Sequence, residues 1–401
     1  TVIGGGAVGC AVAYHLAQAG QSDVQVLEAG DLAGATTSQA AGMVGQARTT
    51  VERSKLAMAS VRRYGEIERD TGCPVDWKRT GSIRIALSAS AEAELRQIAA
   101  VADQTGLPVK LIDGAGVHDL CPPVTVTKEI RAALWSPNDG YLQPNSLVSA
   151  YVAGARSLGV NFVTSCPVTG ITVAAGAVAS VTTPFGPART ELVIDAAGPW
   201  AATVARLVGI DLPIIPVRHS YFVTEPVEGW HSDLPSLRIP DLQVYARGEV
   251  GSILCGGFER SATSLDPREI GSTSTLPNAV DWDVLGNFAD GLAQFVPEVA
   301  DAGVRAVFRG WPAFSPDGRF VVGPVDGLRG FAMAAACNAH GVTGSAGLAE
   351  HLLEALDDRP SAYVASLSPA RFQRVSWSWV DARREAQAVY ENYYPMPRVT
   401  L

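Results

Sequence analysis

The first chemistry legible in the chain is a phosphate-binding pattern. In "VIGGGAVG", Gly4, Gly6 and Gly9 fall at GxGxxG spacing, and the following helix-like stretch leads into "DVQVLEAG", which ends on Glu28 and Ala29. Glycines at these positions permit a tight turn and let the backbone approach a pyrophosphate at a helix N-terminus, while the acid accepts hydrogen bonds from a ribose. The spacing alone also fits a structural turn. Strand, helix, strand and acid in this order favour a dinucleotide site.

The next stretch, "LAGATTSQAAGMVGQAR", has no clean helical or strand period. Thr36, Thr37, Ser38 and Gly42 offer hydroxyls and unencumbered backbone N–H groups. This suits an extended segment lying along a second phosphate and a flat ring, as FAD requires; the plainer alternative is a polar loop. Arg48 closes the stretch and can hold a carboxylate with two donors, or sit at the surface paired with Glu52. Gly198 follows the apolar run "ELVIDAA". Gly341, Val342 and Thr343 are expected to open the last long helix, with their N–H groups toward a flavin pyrimidine. His340 beside them is a cofactor contact or, more simply, a helix cap.

His219 and Tyr221 in "VRHSYFVTE" point to one face of a strand, so Tyr221 lines a pocket or packs. A strand histidine with aromatic neighbours reads, by itself, as a packed residue. His15, His118, His231 and His351 follow no pattern, and Trp377 and Trp379 read as packing for the tail. The six cysteines, Cys10, Cys73, Cys121, Cys166, Cys255 and Cys337, show no CxxC spacing. Neither a metal site nor a redox pair is expected, and a reducing cytoplasm fits.

These groups need elements to position them. The 401 residues are 47% hydrophobic, enough for two lobes. A net charge of −9 leaves no cationic excess for nucleic acid, and no apolar run reaches the roughly 18 residues that a bilayer demands. Parallel-sheet pieces at both ends of the chain make the cofactor lobe discontinuous, over 1–80, 145–215 and 320–365. The strand-like segments "GSIRIAL", "VRHSYFVTE", "DLQVYARG" and "GSILCGGFE" predict an antiparallel sheet in a second lobe, over 81–144 and 216–319, covered by helices near 91–104 and 280–294. Residues 366–401 read as a strap or as a linker toward a further domain. Only Thr1, Val2 and Ile3 precede the glycines, against about five residues in a typical strand, which suggests a strand that starts upstream.

Taken in order, "VIGGGAVG", "LEAG", "TTSQAAGMVGQAR", "SPNDGYLQPNSLVSAYVAGARSLGV", "DAAGPWA", "PVRHSYFVTE", "FSPDGRFVVGP" and "NAHGVTGSAGLAEHL" resemble the D-amino-acid oxidase type of FAD-dependent amine oxidoreductase. Within it the chain is most similar to the sarcosine and dimethylglycine dehydrogenases and oxidases. The resemblance runs through essentially the whole chain. It implies an α/β (α+β overall) fold, a Rossmann-like FAD-binding domain with an inserted β-sheet substrate domain. It also implies oxidation of an N-methylated amino acid, with hydride passing to flavin N5.

By the same resemblance His219 and Tyr245 are catalytic, orienting the amine in its unprotonated form, and Val168 gives adenine a backbone contact, although a buried strand valine needs no such role. Relatives attach FAD to a histidine where this chain has Ser38 and Gln39, or to a cysteine absent from "FRGWPAFSPDGRF". Non-covalent FAD is therefore expected. Tetrahydrofolate joins the partners if a further domain follows, and O2 or an electron-transfer flavoprotein is the expected oxidant. The rival readings are another amine, such as glycine, proline, hydroxyproline or a betaine-derived one, and a non-catalytic FAD-carrying subunit.

Overall fold

The computed structural model describes residues 1–126, 128–271, 275–357 and 359–393. A six-stranded sheet runs in the order Val321–Pro324, Phe331–Ala335, Val193–Asp195, Val2–Ile3, Gln25–Leu27 and Asn161–Val163. Its strands are parallel except the first, which is antiparallel to Phe331–Ala335. The short apolar runs "VI", "VID" and "FAMAA" fit such a place because a parallel sheet is covered on both faces. Helix Ala7–Gln18 packs between helices Pro144–Ser157 and Ser345–Leu356, and its small residues Ala7, Ala11 and Ala13 are buried there.

The second sheet has eight strands, in the order Val304–Gly310, His219–Thr224, Ser252–Gly257, Val244–Glu249, Ser236–Ile239, Ser82–Ala86, Ala132–Ser136 and Lys110–Ile112. It is mixed rather than purely antiparallel, because Ser236–Ile239 lies parallel to Ser82–Ala86. The chain reaches that neighbour by a long excursion through the other sheet, and a crossover, unlike a hairpin, delivers a strand in the same direction. Period-two alternation then divides the side chains. Ile83, Ile85, Leu237, Ile239, Val244 and Ala246 join a core with Leu285, Phe288 and Leu292 of helix Trp282–Ala293. Arg84, Arg238 and Tyr245 belong to the opposite face. Helix Ala89–Thr105 covers the far end of the sheet, as expected.

One expectation changes. Gly341, Val342 and Thr343 do not begin a helix: they form a turn, and the helix spans Ser345–Leu356 with Gly344 as N-cap. The preceding residues Ala336, Asn338 and Ala339 have φ of 50°, 46° and 61°, and the turn that follows them continues through Gly344. The tail, read as a strap or a linker, folds back onto the body as far as it is described. Helix Trp379–Glu391 starts at the Ser378 cap and buries Ala382, Ala386 and Tyr390, spaced four apart on one face. That face packs on strands Ile215–Pro216 and Ala313–Phe314. The proline-containing end of the tail lies outside the described residues. Trp377 and Trp379 pack edge to face, with centroids 4.8 Å apart.

The opening segment ends in a short strand, Met43–Val44, paired with Gly140–Tyr141. Gly42, at φ 69°, makes this possible: a Cβ there would stand 2.0 Å from the Leu142 carbonyl oxygen. Gly42→Ala therefore meets both a left-handed backbone and a hard contact. We expect it to destabilise the protein by about 2 kcal/mol or more, read as a lowered denaturation midpoint.

Candidate active site

Between the two sheets lies a cavity of about 760 Å³, within the general range of ligand clefts. Gly4, Gly6, Glu28, Ala29, Thr37, Gly42, Val168, Gly198, Gly341, Val342 and Thr343 all line it, and so do His219 and Tyr245. Gly9 does not. Its Cβ would fall 1.9 Å from the Gly4 carbonyl oxygen, so its role is close packing of helix on turn. Ser38 also leaves the wall, because its hydroxyl donates to the Ala35 carbonyl at 2.9 Å.

The segment Thr36–Met43 is held from two sides. Toward the first sheet, Thr37 Oγ1 accepts from the Ala7 N–H at 3.2 Å. Toward the second, Thr36 Oγ1 accepts from the Trp311 N–H and Gln39 Oε1 from the Arg309 N–H, at 3.4 and 3.3 Å. The Tyr221 hydroxyl donates to the Ala40 carbonyl and Arg247 Nε to that of Ala41. Tyr221 therefore packs rather than lining the cavity: it shares the face of His219 but stacks on Phe308, with centroids 4.9 Å apart.

The glycine-turn end suits an anion. The N-cap Gly6 brings no side chain, and the Val8 and Gly9 N–H groups find no acceptor among the described residues. An uncapped helix start facing a cavity draws negative charge. Gly4, at φ 110°, and the tight Gly9 contact admit no side chain. Glu28 receives the Gly5 and Gly30 N–H groups at 2.6 and 2.8 Å, which aims its carboxylate beside the cavity. At the other end, three of the residues Ala336–Ala339 are left-handed, a strained arrangement typical of ligand clamps, and the Asn338 N–H donates to the Ala313 carbonyl at 3.0 Å. Cys337 is also in the wall, where burial pushes its thiol up to about 12. These features fit an extended dinucleotide such as FAD.

Across the cavity, the sheet sets side chains in a transverse row. Arg84 lies opposite Arg238, Arg238 opposite Tyr245, Tyr245 opposite Gly256, and Gly256 opposite Tyr221. Gly256 leaves room for the Tyr245 ring: a Cβ there would stand 2.5 Å from the phenol oxygen. His219 Nε2 is 2.8 Å from that oxygen, and Phe258 packs on the imidazole at 4.8 Å between centroids. Burial lowers the His219 pKa to about 4, so the ring is neutral at physiological pH. Its Nδ1 lies 3.1 Å from the Tyr390 hydroxyl, which donates to Glu259.

Arg238 lines the cavity, and its side chain makes no hydrogen bond or ion pair among the described residues. Arg48 is not paired with Glu52. It lines a smaller adjoining pocket with Arg53, Arg84, Glu94, His340 and Tyr393, where burial lowers its pKa to about 10. His340 is no side-chain cap: Nδ1 meets the Asn338 carbonyl oxygen at 2.7 Å and Nε2 the Tyr393 hydroxyl at 3.2 Å. The sequence reading missed Arg238, Glu259, Tyr390 and Tyr393. Arg238 sits two residues after a buried serine on a strand of the substrate sheet, which alternation could have flagged; the others needed the return of the tail.

A model of the FAD dependent oxidoreductase family matches residues 1–355. Mouse mitochondrial dimethylglycine dehydrogenase is 29% identical over 99% of this chain and 47% of its own length. Human mitochondrial sarcosine dehydrogenase is 30% identical over 88% and 39% respectively, so the chain spans about half the length of these relatives or less. The crystal structure of L-proline dehydrogenase from P. horikoshii superposes with a TM-score of 0.84 at 22% identity, over 93% of this chain and 97% of that one. No helix among the described residues is long and apolar enough to cross a membrane. With a family model matched over most of its length, this chain belongs to the FAD dependent oxidoreductase family, related to the dimethylglycine and sarcosine dehydrogenases.

Proposed function

We propose that the chain oxidises a secondary or tertiary N-methylated amino acid with non-covalently held FAD. The observation that carries this reading is the row Arg238–Tyr245 beside His219, facing the cavity. An unpaired guanidinium next to a phenol–imidazole pair presents a carboxylate anchor and an amine anchor one strand apart, about 5 Å between their Cβ atoms. That spacing suits the two ends of a small amino acid.

When bound, FAD supplies the two-electron acceptor for a hydride leaving the carbon attached to nitrogen. The protein's residues prepare that event. Arg238 holds the carboxylate with directed donors. Tyr245, bonded to a neutral imidazole, favours the amine as its free base, the form that can donate a lone pair as hydride departs. Thr343, through its bond to the Met43 carbonyl at 3.1 Å, keeps the opening segment closed over the clamp at Ala336–Ala339, and this helps exclude water. Hydrolysis of the resulting iminium would release formaldehyde and the demethylated amine, or pass the one-carbon unit to tetrahydrofolate where that is present.

Gln39 lies in the cavity wall where relatives of this type carry the flavin-linking histidine, and a carboxamide nitrogen is too weak a nucleophile to form that bond. Acid precipitation should leave the yellow colour in the supernatant; colour retained in the pellet would refute non-covalent binding. Anaerobic addition of sarcosine or dimethylglycine should bleach the flavin, and aerobic turnover should release formaldehyde. Bleaching only by proline or glycine would reassign the substrate, and reduction only by dithionite would leave a non-catalytic FAD carrier. Arg238→Met should weaken substrate affinity on the order of 100-fold, the size of a lost charge-assisted pair, with little change in the limiting reduction rate, measured by stopped-flow titration.

A further inference from the structure

We propose that the Glu259 carboxylate is the terminal acceptor for the proton that the substrate amine gives up, reached through Tyr245, His219 and Tyr390. This rests on the amine-oxidising reading above and adds two residues to it. Tyr390 and Glu259 touch neither substrate nor cofactor; they are positioning residues that act through the pair lining the cavity.

The direction of the chain follows from its one anionic end. The Tyr390 hydroxyl, carried by the last helix, donates its single proton to Glu259 Oε2. Its oxygen can then only accept from His219 Nδ1, 3.1 Å away. Nδ1 therefore carries the imidazole hydrogen, Nε2 keeps the lone pair, and the Tyr245 hydroxyl at 2.8 Å donates to it. Having given its hydrogen to Nε2, the Tyr245 oxygen acts as the acceptor for a substrate N–H in the cavity it lines.

A proton leaving the ammonium onto Tyr245 moves every bond along by one place. One N–H bond breaks on the substrate, one O–H bond forms on Glu259, and Tyr245, His219 and Tyr390 each gain and lose one proton. No electrons are transferred. His219 by itself is a weak base in this setting, since burial lowers its affinity for a proton, so it passes the proton on. Glu259 is suited to receive it: burial raises its carboxyl above the ordinary range, and Oε1 has no hydrogen-bond partner among the described residues. The charged and titratable groups facing it are Tyr390, Arg218 at 3.7 Å, and Asp281 at the cap of helix Trp282–Ala293, which is ion-paired to Arg218 at 2.7 Å. Around His219 stand Tyr245, Tyr390 and Phe258, none charged.

The test uses the full FAD-loaded chain and the amine that bleaches it, with flavin reduction followed across pH for native protein, Glu259→Gln, Glu259→Asp and Tyr390→Phe. Each variant is first matched for bound FAD, and 15N shifts of His219 report its tautomer. Glu259→Gln should slow reduction on the order of 100-fold near pH 7, yet by no more than about threefold near pH 10, where the amine arrives deprotonated. It should keep the Nδ1–H tautomer, because a carboxamide oxygen still accepts from Tyr390. Glu259→Asp should recover most of the neutral-pH rate, while Tyr390→Phe should lose both that rate and the fixed tautomer. A uniform slowing at every pH in Glu259→Gln, or an Nε2–H tautomer in native protein, overturns the proposal. If no amine bleaches the native flavin, the amine-oxidising reading fails first and the relay falls with it.

Discussion

The double attachment of residues Thr36–Met43 is the constraint on which the rest of the structure depends. One end is bonded to the glycine turn through Thr37 and Ala7, and the middle to the edge of the eight-stranded sheet through Thr36, Gln39, Ala40 and Ala41. These bonds fix where one sheet stands relative to the other, and so fix the height of the cavity between them. A polar, small-residue segment suits this task because its hydroxyls and carbonyls can be satisfied from both sides without filling the gap. An apolar segment would have left buried backbone groups unpaired, at about 1–3 kcal/mol for each.

Burial does the electrostatic work. His219 has no charged neighbour to hold a proton on it, so desolvation keeps it neutral. Arg48 is shifted the same way but with charge around it, from Tyr393, Arg84, Arg238 and Asp139. The region therefore holds cationic guanidinium groups beside a neutral imidazole, a pattern that suits a substrate with one anionic and one basic end. The counterweight comes from Glu94, 3.6 Å from the Arg84 guanidinium, and from buried Asp139, which accepts from the Ser82 hydroxyl and the Gln46 N–H.

Much of this was legible in the residues. The glycine spacing and Glu28 located a tight turn that lines the cavity, and the irregular polar stretch located the segment between the sheets, because both are local patterns with local causes. Strand period alone placed His219 and Tyr221 on one face but could not decide which of them meets the cavity. That depends on Phe308, a cross-strand neighbour brought in from a distant strand. The helix expected from Gly341 failed for a similar reason: left-handed turns at non-glycine residues, held by Asn338 bonds to Ala336 and Ser315, leave no mark in composition. Tyr390 and Glu259 meet only because a helix late in the chain folds back onto early strands, and no spacing within either segment announces it.

Cys337 deserves a last word for what its surroundings do to it. A thiol in the wall of a redox cavity invites side reactions, since thiolates attack electrophilic rings and are oxidised by peroxide. Here burial keeps the sulfur protonated at any ordinary pH. The lining can thereby be polarisable and soft without presenting a thiolate to the cavity.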